Sequence, residues 1–135
     1  MKILIVDDHE ASVAFMRLAF AGAGHTVMTA ANVDAALRRV GEDTPDVVLT
    51  DLTFGEVDGG LELARQLRAA PSTGHVGILA VSGADTPDVL QATVDCGFDG
   101  FVSKPVVLAS LLDRVEQLAD VVARRRSGQH HVDGA

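Results

Sequence analysis

The side chains able to do chemistry in this sequence fall directly behind short apolar runs. Asp7 and Asp8 follow ILIV at 3–6, Asp51 follows VVLT at 47–50, Ser82 closes ILAVS at 78–82, and Lys104 closes GFVSK at 100–104. Three carboxylates gathered in one place repel one another unless a hard cation neutralises them, and Mg²⁺ prefers carboxylate and carbonyl oxygens while keeping several waters. A carboxylate nucleophile, a divalent ion, a hydroxyl and a lysine for the remaining negative charge are the parts that phosphoryl transfer needs, because that chemistry is mostly positioning and electrostatics. The set reads as a metal site that receives a phosphate, with Asp51 as nucleophile and Asp7 and Asp8 holding the metal.

Those residues converge only if the runs before them are neighbouring strands that end on the same side. Short apolar runs alternate with stretches of helical spacing, the βα pattern of a parallel sheet. The expected strands lie near 2–6, 25–29, 46–50, 76–82 and 99–103, and the expected helices near 10–22, 33–42, 59–70, 87–96 and 107–126. Val33, Ala36, Leu37 and Val40 form one amphipathic stripe; Leu108, Leu111, Leu112, Val115, Leu118, Ala119 and Val122 form a longer one. Gly22 and Gly24 end the first helix, Asn32 caps the second, and Thr86 followed by Pro87 opens the fourth.

The first, third and fourth runs are apolar but for the Thr50 and Ser82 that close the latter two, as strands covered on both faces must be, whereas HTVMT at 25–29 and GFVSK carry more polar residues as edges do. Right-handed crossovers then predict an α/β fold with a doubly wound five-stranded parallel sheet, order 2-1-3-4-5. Its winding reverses between strands one and three, and ligands bind at the carboxyl ends of the strands there. Neighbouring strands lie roughly 4.8 Å apart. Asp8 and Ser82 are thus one strand from Asp51 and Lys104 two strands away, so the short hydroxyl stands near and the long ammonium stem far.

The 135 residues suit one domain, placed at 1–123, with a basic and polar tail at 124–135. The formal net charge of −8 is uneven: residues 1–123 hold 8 basic and 18 acidic side chains and residues 124–135 hold 3 and 1, so the acidic body should repel nucleic-acid phosphates and no direct nucleic-acid contact is expected. Arg124, Arg125 and Arg126 read as the cationic end of a helix rather than a nucleic-acid arm. No apolar run approaches the roughly 20 residues of a membrane span, and charge at Asp7 interrupts the apolar start, unlike a signal peptide. A single cysteine, Cys96, rules out an intramolecular disulfide and suits a reducing cytoplasm. Cys96 is expected to be packed, His9 and His75 to lie in surface loops, and His25 at a strand edge. His130 and His131 have no third ligand at a recognisable spacing and are read as solvent-exposed.

The segments MKILIVDD, VVLTDLTFGEVDGGLEL, LAVSGA and GFDGFVSKPV resemble, in order and interval, the four signature regions of the response-regulator receiver domain of two-component signalling. The resemblance spans residues 1 to about 122. It implies a flavodoxin-like (βα)5 fold in which Asp51 accepts a phosphoryl group from a phosphohistidine on a sensor histidine kinase or histidine phosphotransfer protein. Asp8, Asp51 and the Thr53 backbone carbonyl would form the Mg²⁺ shell, with Asp7 acting largely through water. Ser82 and Phe101 would be the switch pair, and the Lys104–Pro105 peptide bond would be cis. Such a protein catalyses its own phosphorylation and dephosphorylation and is not otherwise an enzyme. Thr53 and Ala84 stand at the positions that help place the hydrolytic water; neither carries an acid or amide, so slow self-dephosphorylation is expected. Output would be a changed partner or self-association through the face made by the fourth helix, fifth strand and fifth helix. Val89, Ala92, Thr93 and Cys96 form the inward stripe of that helix, leaving Leu90 and Val94 for the partner face.

Two positions depart from the family pattern. Gly55 stands where a proline is usual, so the loop after Asp51 is expected to be less constrained. Val107 stands where many relatives place a capping Asp or Asn, so the last helix should begin loosely. A phosphatase of the haloacid-dehalogenase type shares the aspartyl nucleophile, Mg²⁺, hydroxyl and lysine, but its nucleophile follows the first strand as D-x-D, where this chain has DDH, and the length leaves no room for the usual cap. Flavin mononucleotide binding would need a hydroxyl-rich or glycine-rich loop after strand one, not carboxylates. A pseudo-receiver that binds partners without phosphotransfer would normally have lost some of the acids, and none is missing.

Overall fold

The structure, a computed structural model, describes residues 1–53 and 59–134, with side chains described as far as residue 127. The elements run β1 (Lys2–Val6), α1 (Glu10–Gly22), β2 (Thr26–Ala30), α2 (Val33–Glu42), β3 (Val47–Thr50), α3 (Gly59–Ala69), β4 (Gly77–Ser82), α4 (Pro87–Asp95), β5 (Gly100–Ser103) and α5 (Leu108–Gly134). The five strands are parallel in the order β2-β1-β3-β4-β5, as expected. Gly55 and the loop expectation attached to it lie outside the described residues.

Side-chain alternation along the central strands divides the core. Ile3 and Ile5 of β1, with Leu49, Leu79 and Val81, pack under Met16 and Phe20 of α1 and Leu111 and Val115 of α5. Leu4 and Val6, with Val48 and Ile78, pack on the other face under Ala36 and Val40 of α2, Leu63, Ala64 and Leu67 of α3, and Cys96. The period of two is why β1, β3 and β4 are apolar on both faces apart from Lys2, Thr50 and Ser82 at their ends: each face has its own helical cover. Burying a side chain of this size contributes roughly 1.5–3 kcal/mol, and this sheet is thereby a rigid platform for the residues at its carboxyl edge.

Local signals set the helix ends. Asn32 Oδ1 accepts from the Ala35 N–H at 2.8 Å, Thr86 Oγ1 accepts from the Val89 N–H at 3.4 Å, and Gly24 takes the left-handed φ of +92° after α1. Leu111 N–H reaches the Val107 carbonyl at 3.0 Å, so Val107 stands at the cap position of α5 with an exposed side chain that has no acceptor to offer.

Three expectations need correction. The last helix runs to Gly134 rather than ending near 126, so the segment read as a basic and polar tail continues α5. No proline interrupts it, and two arginines hold it to the body: Arg125 on Asp99 and Arg126 on Asp46 at 2.9 Å. The arginine run is therefore a docking strip inside the helix, not its cationic end. His75 is buried, not a surface-loop residue, with neither ring nitrogen hydrogen-bonded. By contrast, His9 is exposed, and His25, just before edge strand β2, lies 3.1 Å through Nδ1 from the Met1 α-amino nitrogen.

Candidate functional site

Asp7, Asp51 and Lys104 are each the first residue past a strand, and each is fixed there by a backbone bond that carries the sheet ladder one residue further. Asp7 N–H donates to the Ala30 carbonyl at 3.1 Å, Asp51 N–H to the Val6 carbonyl at 3.0 Å, and Lys104 N–H to the Ser82 carbonyl at 2.9 Å. The side chains thus leave from a level set by β-pairing, which gives a reactive group the precision that loops lack.

Lys104 crosses the width of β4 to reach Asp51: its Nζ lies 3.1 Å from Asp51 Oδ2 and 3.5 Å from Asp7 Oδ2. Partial burial works against the ammonium, but the hydrogen bond and charge of Asp51, with those of Asp7, outweigh it and hold Lys104 above its ordinary value. The other Asp51 oxygen, Oδ1, accepts from the Leu52 N–H at 2.7 Å and, at 3.4 Å, from the Thr53 N–H. The Asp51 side chain is 11% exposed and that of Asp7 only 2%. Asp51 is accordingly held at both oxygens yet still reachable from outside.

Ser82 is buried at the end of β4, one strand from Asp51, and its Oγ accepts from the Ala84 N–H at 3.2 Å. Ala84 and Thr53 are both exposed at the rim. Phe101 sits half-buried on β5, paired in register with Ala80 of β4. The Lys104–Pro105 peptide bond is cis. On α4, Thr93 and Cys96 are buried, while Leu90 and Val94 are exposed.

Residues 3–116 match the family model of the response regulator receiver domain. The chain belongs to the receiver-domain family of response regulators. It is 32% identical over 121 residues to the sensory/regulatory protein RpfC of Xanthomonas campestris, covering 88% of this chain and 16% of RpfC. It is 36% identical over 119 residues to the response regulator MprA of Mycobacterium leprae, covering 87% of this chain and 50% of MprA. The chain therefore spans half or less of these curated relatives. Among solved structures, a response regulator from Chloroflexus aurantiacus superposes with a TM-score of 0.83 at 27% identity, over 88% of this chain and 97% of that one. The chemotaxis response regulator CheY4 of Vibrio cholerae superposes with a TM-score of 0.80 at 25% identity, over 87% of this chain and 97% of that one. Receiver domains are signalling switches rather than turnover enzymes, and among the described residues no helix is long and apolar enough to cross a membrane.

Receiver domains generally bind Mg²⁺ in an acidic pocket, and the donor set here fits. One ligand atom from each of Asp7, Asp8 and His9 lies within 4.8 Å of the others, and the two carboxylates are hard oxygen donors of the kind Mg²⁺ takes. Asp7 Oδ1 accepts from the His9 N–H at 2.9 Å, which orients the carboxylate.

Sequence reasoning missed two features of this receiver domain. A Cβ on Gly60 would collide with the Asp51 carbonyl oxygen, so the glycine is what lets α3 sit against the reactive loop; the adjacent pair Gly59-Gly60 at a helix start was the available signal. At the opposite end of the sheet, Asp99 takes Arg68 at 2.9 Å, Arg125, and the Ile78 N–H at 2.8 Å. Burial works against that carboxylate, but the hydrogen bonds from Arg125 and Ile78 and the charges of both guanidiniums outweigh it and hold Asp99 below the usual carboxylate range. Charges scattered over three elements leave no local spacing by which to find such a network.

Proposed function

We propose that this receiver domain, placed at residues 1–123, takes a phosphoryl group onto Asp51 from a phosphohistidine on a sensor histidine kinase or phosphotransfer protein and thereby changes what it binds. The observation that carries this reading is the position of Lys104 Nζ between Asp51 and Asp7. A permanent cation already stands beside the carboxylate that must gain negative charge. An Asp51 oxygen forms the P–O bond as the donor's P–N bond breaks, and the imidazole nitrogen leaves with the electron pair and takes up a proton. Lys104 then offsets the charge on the transferred oxygens, and the Ser82 hydroxyl donates to one of them. Mg²⁺ held by Asp7, Asp8, Asp51 and the Thr53 carbonyl would supply further neutralisation of the phosphoryl oxygens.

Phosphorylation biases a two-state element, for which Ser82 and Phe101 are the candidates. Output then passes through the face made by α4, β5 and α5 to a protein partner or a second copy, with Leu90 and Val94 contributing apolar contact. Binding and self-association unaltered in phosphorylated Leu90→Lys would dismiss that face. Neither Thr53 nor Ala84 carries an acid or amide to position a hydrolytic water, so self-dephosphorylation is slow; an unchanged phosphoryl lifetime in Thr53→Asn would remove the basis for this. A cytoplasmic setting goes with the proposal and with Cys96 being a buried free thiol.

The test is intact-mass spectrometry after incubation with acetyl phosphate and Mg²⁺. The native chain should gain a phosphoryl adduct that needs the metal, and Asp51→Asn should not. No adduct on the native chain would favour a pseudo-receiver that binds partners without phosphotransfer.

A further inference from the structure

We infer that His9 adds a nitrogen donor to the Asp7 and Asp8 site, so that this receiver domain holds borderline divalent ions such as Co²⁺ and Ni²⁺ through three side chains. The inference rests on the cation-site reading of those two carboxylates and goes beyond it by naming a ligand that selects the ion.

Three observations support it. The imidazole is placed for it: His9 Nδ1 lies 3.9 Å from Asp8 Oδ1, and one donor atom from each of the three residues falls within 4.8 Å of the others. Donors bound at about 2.1 Å stand between about 3 Å (adjacent) and about 4.2 Å (opposite), so a small side-chain rotation closes the set. The backbone that carries the ring is fixed, because the His9 N–H donates to Asp7 Oδ1 at 2.9 Å and its carbonyl accepts from the Val13 N–H at 3.1 Å. The ring itself is free to turn, being 76% exposed, and although His9 is the N-cap of α1 its side chain makes no capping bond. A cap position normally uses a polar side chain to satisfy the helix; here the ring nitrogens remain available beside two carboxylates.

Imidazole suits Co²⁺, Ni²⁺ and Zn²⁺, whereas carboxylate and water suit Mg²⁺. Removing His9 should therefore separate the two classes of ion. The whole chain is titrated with MgCl₂ or CoCl₂ by calorimetry, with the visible absorption of bound Co²⁺ as a second readout. All proteins carry His130→Gln and His131→Gln so that the tail imidazoles do not compete. His9→Ala and the cap-competent His9→Asn should each weaken Co²⁺ binding at least about tenfold, a loss of the size seen when metal-site partners are removed. Both should alter the Co²⁺ spectrum and leave Mg²⁺ affinity within about twofold. Equal Co²⁺ affinity and spectrum in native and variants would overturn the inference, as would an equal loss of both ions. If neither ion bound the native chain, or if Asp8→Asn left Mg²⁺ binding intact, the cation-site reading itself would fall.

Discussion

A Cβ on Gly60 would stand 2.1 Å from the carbonyl oxygen of Asp51, so the first turn of α3 rests directly on the backbone that carries the reactive carboxylate. The Gly60 N–H also donates to the Leu52 carbonyl at 3.1 Å, which ties the two segments together. Inside an exposed helix, alanine would be favoured over glycine by about 1 kcal/mol. Here the obstacle is backbone, which cannot rotate aside. Gly60→Ala is expected to lower stability by about 1–3 kcal/mol through overpacking and to slow phosphoryl uptake at Asp51. Urea unfolding and the rate of adduct formation would measure both; a variant equal to the native chain in each would mean that α3 does not position the site.

The convergence of polar residues at the carboxyl end of the sheet was legible because a strand that leaves the core marks its exit with polarity. Asp7, Asp51 and Lys104 each follow an apolar run, and the strand order alone puts Lys104 two strands from Asp51, a gap that its stem spans. The amino-terminal end was not legible, because nothing local marks it. GHVGI around His75 has the composition of a loop, and its burial comes from α5 returning over the start of β4, where Arg125 reaches the Val76 carbonyl across 49 positions of sequence.

Alkaline stability should report on Lys104. The chain has no tyrosine, and Lys2 and Lys104 are its only lysines, so few groups titrate above neutrality. Folding raises Lys104 above 10.5. The folded state binds the proton more tightly, so this contribution is fully present below the unfolded value and is lost as pH rises through the raised folded one. Unfolding free energies of the native chain should fall beyond about pH 10.5, the unperturbed value, and those of Lys104→Met should fall less. Parallel curves would mean that the bridge to Asp51 and Asp7 contributes nothing to folding.

Asp99 works in the opposite direction. Its carboxyl is held low by Arg125, Ile78 and Arg68 despite burial, so its contribution is present above the unfolded value of 3.8 and is lost as pH falls through the lower folded one. Asp99→Asn leaves two guanidiniums, on Arg68 and Arg125, facing each other without a counter-charge. Breaking one partner of a buried pair costs about 3 kcal/mol or more, and a loss of that order is expected at neutral pH, shrinking toward acid. Since Arg125 belongs to α5, hydrogen exchange of that helix should also quicken in the variant. Unchanged exchange there would show that the Arg126–Asp46 pair and the buried Leu111, Val115 and Val122 suffice to keep α5 docked.

His75 should make the fold sensitive to mild acid. The ring is buried with both nitrogens unpartnered, and desolvation, reinforced by the charges of Arg126, Arg68 and Arg125 against a weaker opposing pull from Asp46, lowers its pKa below 6.5. With the folded value lowered, the unfolded chain takes up a proton below pH 6.5 that the native chain refuses. Stability therefore declines as pH falls below that point and stops declining from this cause below the folded value. His75→Leu removes both the titration and the unpaired polar atoms, whose burial costs about 1–3 kcal/mol. The variant is expected to match or exceed native stability at neutral pH, with its advantage widening between pH 6.5 and 5. Comparing urea midpoints of the two proteins across that range isolates the contribution of His75, because every other group is shared. A constant gap would mean that His75 accepts its proton without leaving its place, and the arginines around it would then not repel the imidazolium.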